Sequence, residues 1–221
     1  MNTCLVIHSC DKYHYILDEF FEHLEAHFPI SAFTIFHITE TIPYEKPYTH
    51  NIVANDPSWS NRFIIALNQI PFENFLYLQE DMILTNVDKD ILPLVVNLHE
   101  INQEHKCMIT KCGTFHDFKL QATNKLLNNK YPIFIQADGN YIMSHQPPAI
   151  FNKAFFLRTL CREHDVWTHE CEVTTEIKDG KYGDLFVLCI GNIFYPTNKS
   201  EIITSHHAIR KGEYVPCPKQ S

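Results

Sequence analysis

Apolar positions along this chain alternate between a two-residue and a helical spacing, and the alternation predicts an α/β order. Thr3 to His8 is a short apolar run that ends at the polar cluster Ser9-Cys10-Asp11-Lys12. Tyr13 to Phe28 carries Ile16, Phe20, Leu24 and Phe28 on one helical face. Ala32 to His37 reads as a second strand, so the chain opens β–loop–α–β. Tyr44 to Pro57 is polar and proline-bearing, which predicts a loop. Ser58 suits the N-cap of an amphipathic helix over Trp59 to Gln69. Ile91 to His105 has helical spacing. Cys107 to Ile109, Lys119 to Gln121 and Pro132 to Gln136 read as short strands. The pair Pro147-Pro148 predicts the opening of a helix over Ala149 to Glu163. Leu185 to Ile190 and Ile202 to Thr204 read as late strands. No repeat or composition break marks a boundary, so the expectation is one domain over 1–221, with the last ~8 residues a loose tail.

The most informative stretch is FLYLQEDMIL, from Phe75 to Leu84. An apolar strand over 75–78 meets Gln79, Glu80 and Asp81, and apolar residues resume at Met82. Carboxylates at the end of a buried strand are costly to desolvate unless paired or metal-bound. At the carboxyl end of a strand in an open α/β sheet they face a ligand crevice. Two adjacent carboxylates there suit a hard divalent cation that shares its oxygen ligands with a phosphate. The alternative is a strand end whose charges are solvated before a turn.

Composition narrows the chemistry. The net charge of −8 and the absence of a basic run argue against nucleic-acid binding. Six glycines, with no G-x-G-x-x-G and no G-x-x-x-x-G-K-[ST], give no support to dinucleotide or P-loop chemistry. The eight cysteines form no C-x-x-C, and most lie among apolar residues, as reduced buried cysteines do. No segment has the ~18 apolar residues of a membrane span, and the amino-terminal run is too short for a signal peptide. These features lead to the expectation of a cytoplasmic protein.

Several patches, in order, resemble a family: SCDKY, WSNRFIIALNQI, LQEDMIL, YIMSHQPPAIFNKAFFLRTL and VWTHE. Together, from about residue 4 to about residue 212, they resemble small GT-A fold glycosyltransferases of large DNA viruses and bacteria. The resemblance implies a GT-A-like (Rossmann-like), mostly parallel mixed sheet flanked by helices. It implies a nucleotide-diphosphate sugar as donor, a glycan hydroxyl as acceptor, and Mn2+ or Mg2+ at the diphosphate. Where such folds usually carry Asp-x-Asp, this chain has Gln79-Glu80-Asp81.

The resemblance distributes roles, and each has a plain structural alternative. Asp81 is the first choice as metal ligand, with Glu80 as its helper; a turn cap is the alternative. Ser9, Cys10, Asp11 and Tyr13 follow the first strand, where the fold holds base and ribose; Asp11 is equally suited to cap the next helix. Arg62 is implied to reach the donor sugar or diphosphate, against a pairing with a nearby acid. Glu170, in the Trp-x-x-Glu of VWTHE, is implied as the base of an inverting transfer, with Asp165 and Glu172 as rivals. His206 and His207 follow a late strand and are candidates to complete the metal site. Gln146 suits either an acceptor pocket or a turn cap.

The function expected is therefore a glycosyltransferase acting on hexosyl or deoxyhexosyl donors. Two other readings stay open. One is a nucleotidyltransferase, disfavoured by a first loop without glycine. The other is a carbohydrate-binding or assembly module that has lost its metal site, for which Gln79 is the best argument.

Overall fold

The computed structural model describes residues 1–103, 106–114, 117–145, 148–160, 163–183, 185–191, 203–207, 209–210 and 213–214. In chain order the strands and helices are β1 (Thr3–His8), α1 (Leu17–His27), β2 (Ile35–Thr39), β3 (Thr49–Val53), α2 (Trp59–Leu67), β4 (Asn74–Gln79), β5 (Met82–Val87), α3 (Leu92–Asn102), β6 (Cys107–Lys111), β7 (Phe118–Leu127), β8 (Tyr131–Gly139), β9 (Ala149–Asn152), α4 (Lys153–Thr159), α5 (Val166–Lys178), β10 (Phe186–Ile190) and β11 (Ile203–His207). The expected tail and Gln146 lie outside the described residues.

Nine strands form one sheet in the order β3-β2-β1-β4-β9-β6-β10-β8-β7. The first four positions are joined by parallel pairings, as expected for β–α–β units. Beyond them β9 runs antiparallel between β4 and β6, so β4 and β6 point the same way and end on the same edge. Strand alternation divides the core. Leu5, Ile7, Leu76 and Leu78 face α1 and α3, where Phe20, Phe21, Leu92 and Val95 are fully buried. Val6, Phe75 and Tyr77 face the opposite layer, built from Trp59 and Phe63 of α2, Phe156 of α4 and Val173 of α5. Burying each large side chain contributes roughly 1.5–3 kcal/mol relative to leaving it exposed.

Ser58 caps α2, its hydroxyl accepting from Asn61 N at 3.4 Å. The face predicted for Ile16, Phe20, Leu24 and Phe28 is buried, but the regular helix begins only at Leu17. Tyr13, at φ −110° and ψ 16°, interrupts the preceding 3-10 turn over Asp11–Ile16.

Three expectations are corrected, and one strand is added. The loop expected over Tyr44 to Pro57 contains β3, an edge strand with no fully buried face and hence no apolar alternation to read. The helix expected over Ala149 to Glu163 is a strand followed by a short helix. Ala149, Ile150 and Phe151 are buried between β4 and β6, and Asn152 caps α4 by accepting from Phe155 N at 2.9 Å. The two short strands expected near 119–121 and 132–136 are arms of one long hairpin. Its turn places Asn128 and Asn129 at φ 50° and 55°, the doubly left-handed geometry of a type I′ turn. Finally β5, unexpected from the sequence, lies outside the large sheet and pairs antiparallel with β11.

Phe63 is fully buried, with its ring centroid 4.9 Å from Trp59, 5.2 Å from Tyr77 and 5.3 Å from Phe156. Phe63→Ala should therefore cost about 3–5 kcal/mol, and Ser58→Ala about 1 kcal/mol, in urea unfolding. Equal losses would contradict this ranking of core against cap.

Candidate functional site

The carboxyl ends of β1, β2 and β4 lie side by side, because all three strands are parallel. A buried polar network ties their loops together. Arg62, only 4% exposed, reaches across from α2. Its Nε donates to His8 Nε2 at 3.2 Å, and its Nη1 donates to Glu40 Oε1 at 3.1 Å and to the Asp56 carbonyl at 2.8 Å. Glu40 Oε2 in turn accepts from Asp11 N at 3.1 Å. Burial, and then the nearby guanidinium, hold His8 well below the usual imidazole pKa, so it is neutral and accepts from Arg62.

The acidic turn joins the same network. Glu80 follows β4, and its Oε1 accepts from Cys10 N at 3.1 Å while its own N–H donates to the His8 carbonyl at 3.1 Å. Burial raises its carboxyl to about 7, the charge of Asp81 adds to the rise, and the backbone donors oppose it. Asp81 is half-buried, with Oδ1 shielded from water. Gln79 ends β4 in register with His8 and is partly exposed.

The remaining candidates on this loop are placed as follows. Ser9 is buried, with its hydroxyl 2.9 Å from His37 Nε2, so it braces the sheet. The Asp11 carboxylate is exposed and accepts from Thr41 N, the Thr41 hydroxyl and Ile42 N, fastening the β2–β3 loop to the β1 loop. Tyr13 is partly buried and packs against the α1 layer, with Lys12 Nζ 5.1 Å from its ring centre. Cys10 is partly buried, and burial and Glu80 raise its thiol to about 12.

A second cluster lies where β6 ends. The fully buried Lys111 donates to Gln136 Oε1 at 2.9 Å and to the Tyr141 carbonyl at 2.5 Å, and its Nζ sits 3.8 Å from the Phe118 ring centre. Burial lowers its ammonium to about 8. Facing it from α5 is Glu170, 9% exposed. Glu170 Oε1 accepts from His145 N at 2.6 Å and lies 3.7 Å from His145 Nδ1. Burial raises the Glu170 carboxyl to about 7 against the opposing pull of that N–H and of Lys111. His145 is itself fully buried between Trp59, at 5.4 Å, and His169, at 5.3 Å between ring centres. Its rivals differ from Glu170. Asp165 caps α5 by accepting from Thr168 N at 2.7 Å, and Glu172 is exposed beside His164. Glu170 is therefore the one of the three held out of water.

For the late histidines, register gives the backbone placement. On β11, His207 lies opposite Met82 and His206 opposite Ile83, next to the acidic turn. Among the described residues no group of three or more His, Cys, Asp or Glu side chains is arranged to hold a metal ion. The donor chemistry of the acidic turn nevertheless fits a hard cation: two adjacent carboxylates, one of them raised by burial and then by the other's charge.

Glu40, Lys111 and His145 were not anticipated. Glu40, Lys111 and Glu80 each stand one polar residue past the apolar end of a run, after Ile38-Thr39, Ile109-Thr110 and Leu78-Gln79, and that shared signal points to all three. His145 lies inside a quoted motif but gives no sign in sequence of its complete burial.

No protein-family model matches the chain, and no curated protein matches it. Among solved structures, S. aureus TarS 1-349 in complex with UDP-GlcNAc aligns with a TM-score of 0.50 at 14% identity, over 97% of this chain and 60% of that one. A cytidylyltransferase from Leptospira borgpetersenii aligns at 0.49 and 14% identity, over 91% of this chain and 78% of that one. A UDP-glucose pyrophosphorylase complexed with UDP-glucose gives 0.48 at 9%, covering 85% and 91%. This chain thus spans about three fifths of the TarS chain. At this identity the likeness to TarS shows the fold, a GT-A-like α/β sheet flanked by helices. No helix among the described residues is long and apolar enough to cross a membrane.

A pH experiment tests the buried acid. A carboxyl whose pKa is higher folded than unfolded holds its proton more tightly in the folded state. Its cost to stability is absent below about 4.5, grows up to about 7 and is constant above that. The stability of Glu80→Gln minus that of wild type should therefore rise between these values by roughly 1–3 kcal/mol and then level off. Taking the difference cancels the buried histidines, whose lowered pKa values pull the other way. A flat difference would show Glu80 ionising as it does in water.

Proposed function

We propose that this chain is a nucleotide-sugar-dependent glycosyltransferase that inverts the anomeric centre in a single displacement. The observation that carries this reading is Glu170, a carboxylate withdrawn from water beside the end of β6, with its pKa moved to about 7. A general base works best with a pKa near the working pH. The GT-A-like sheet supports the reading by bringing the ends of β1, β4 and β6 to one edge.

On this reading the nucleoside lies over the Ser9–Tyr13 loop, which Arg62, Glu40 and Glu80 hold rigid from below. Arg62 acts as the brace of that loop. The diphosphate lies at the acidic turn, where Asp81, backed by Glu80 and flanked by β11 with His206 and His207, would hold Mn2+ or Mg2+. A bound divalent cation supplies neutralisation of the departing diphosphate. The acceptor hydroxyl gives its proton to Glu170 as its oxygen bonds to the anomeric carbon and the bond to the diphosphate breaks. The His145 N–H fixes the direction of the carboxylate. Lys111 keeps its pKa from rising further, so the ionised base is populated near neutrality. Positioning supplies much of the rate.

A panel of sugar nucleotides with simple glycoside acceptors, with and without manganese, tests this. Transfer should rise with pH through about 7, and Glu170→Gln should lower kcat by roughly 10²–10⁴ with little change in donor affinity. Asp81→Asn should abolish stimulation by manganese. No transfer from any donor would end the reading, and release of pyrophosphate from a nucleoside triphosphate would replace it with nucleotidyl transfer.

A further inference from the structure

His145 places a polar ring where an apolar one would pack. It is fully buried, and its ring is enclosed by Trp59 at 5.4 Å, Tyr77 at 5.1 Å, Phe151 at 5.9 Å, Phe156 at 6.0 Å and His169 at 5.3 Å between centres. A phenylalanine would fill such a cage without burying polar atoms, and a buried imidazole costs free energy unless its nitrogens are satisfied. Neither Nδ1 nor Nε2 has a hydrogen-bond partner among the described residues. Most buried polar groups have one, so this orphaned pair requires a physical account.

Glu170 Oε1 lies 3.7 Å from Nδ1, beyond hydrogen-bond length, and accepts from the His145 main-chain N–H at 2.6 Å. Burial first, and then His169, His8 and Lys111, hold His145 well below the usual imidazole pKa, so the ring is neutral and carries a single N–H. An orphaned buried donor is rarer than an orphaned acceptor. The proton therefore belongs on the nitrogen with an acceptor near it, which is Nδ1. Catalytic hydrogen bonds that are long in an unliganded enzyme tighten in the working complex.

We propose that the His145 imidazole is a positioning residue for Glu170: its Nδ1–H closes on Oε1 when the carboxyl ionises, so that two donors of one residue fix the base toward the acceptor hydroxyl. The role of Glu170 as base rests on the transfer reading above; the pairing of the two side chains does not. His145 exchanges no proton with Glu170. The acceptor proton goes to Glu170, which becomes a neutral carboxyl and loosens its hold on Nδ1–H, and the ring stays neutral throughout. A donor that prefers the ionised carboxyl lowers its pKa, in the same direction as Lys111 from β6. The other titratable groups facing the pair are His8 from β1, Tyr77 from β4 and His169 from α5. Burial keeps these two histidines and the phenol uncharged near neutrality.

Nitrogen NMR of the histidine-labelled full chain, without substrates and with ring signals assigned through the backbone, reads the tautomer. At mildly alkaline pH, Nδ1 of His145 should carry the proton and Nε2 should be bare. The Nδ1 shift should move with a midpoint of about 7 as Glu170 ionises. A bare Nδ1, or a shift that stays flat across the neutral range, overturns the proposal even if transfer is observed. In the active enzyme, His145→Phe should move the rising limb of kcat up by about one pH unit, lowering kcat at neutrality by up to ~tenfold. His145→Asn, whose amide N–H stands near the Nδ1 position, should return part of that shift. Comparison with wild type cancels the discharge of Lys111 at about 8. A structural role alone would lower kcat equally at every pH and leave the midpoint in place, and that result also overturns the proposal. A protonated Nδ1 that follows Glu170, in a chain that transfers no sugar from any donor, keeps the pair and removes the reading of Glu170 as base.

Discussion

A guanidinium buried in a protein must be matched from every side, and Arg62 sets that requirement for this molecule. Its partners come from β1, from the end of β2 and from the segment leading into its own helix. Removing Glu40, itself partly exposed, would leave the buried guanidinium short of its counter-charge, a loss of at most about 3–5 kcal/mol. Satisfying Arg62 therefore fixes where α2 crosses the sheet and how the β1 and β2 loops approach each other. Glu40 passes the constraint on to Asp11 N, and the Asp11 carboxylate passes it to Thr41 and Ile42. The loops that follow β1 and β2 are tied together by this scaffold of charge, with the apolar layers beneath them.

The two shifted carboxyls stand near the ends of β4 and β6, with only β9 between those strands, and reach a similar pKa by different routes. Glu80 is raised by burial and by a like charge one residue away. Glu170 is raised by burial alone, with Lys111 and a backbone N–H pulling it back. A cation would relieve the first, whereas the second is already balanced. On the proposed reading, this contrast separates a place for electrostatic neutralisation from a place for proton transfer.

The parts legible in the sequence were those with strong periodicity or a sharp polarity break. β1, α2 with its Ser58 cap, and the apolar strand ending at Glu80 are of this kind. β9 was hidden because three apolar residues run directly into a helix, and only the Asn152 cap divides them. β3 was hidden because an edge strand has no buried face to imprint a pattern. At the site, residue identities marked the acidic turn and Glu170, but partnerships were invisible. Nothing in the spacing of His8, Glu40 and Arg62 announces that they meet, and Arg62 turned inward where the family resemblance implied a reach toward donor.

The pairing of β5 with β11 has a consequence for how the molecule comes to be. The strand that leaves the acidic turn finds its partner near the other end of the chain, His207 beside Met82. During synthesis the parallel half of the sheet can assemble while the later segments are still being made. The frame around Asp81 can close only once β11 has been made, after all nine strands of the large sheet, so the pairing beside the acidic turn is the latest of these contacts to become available.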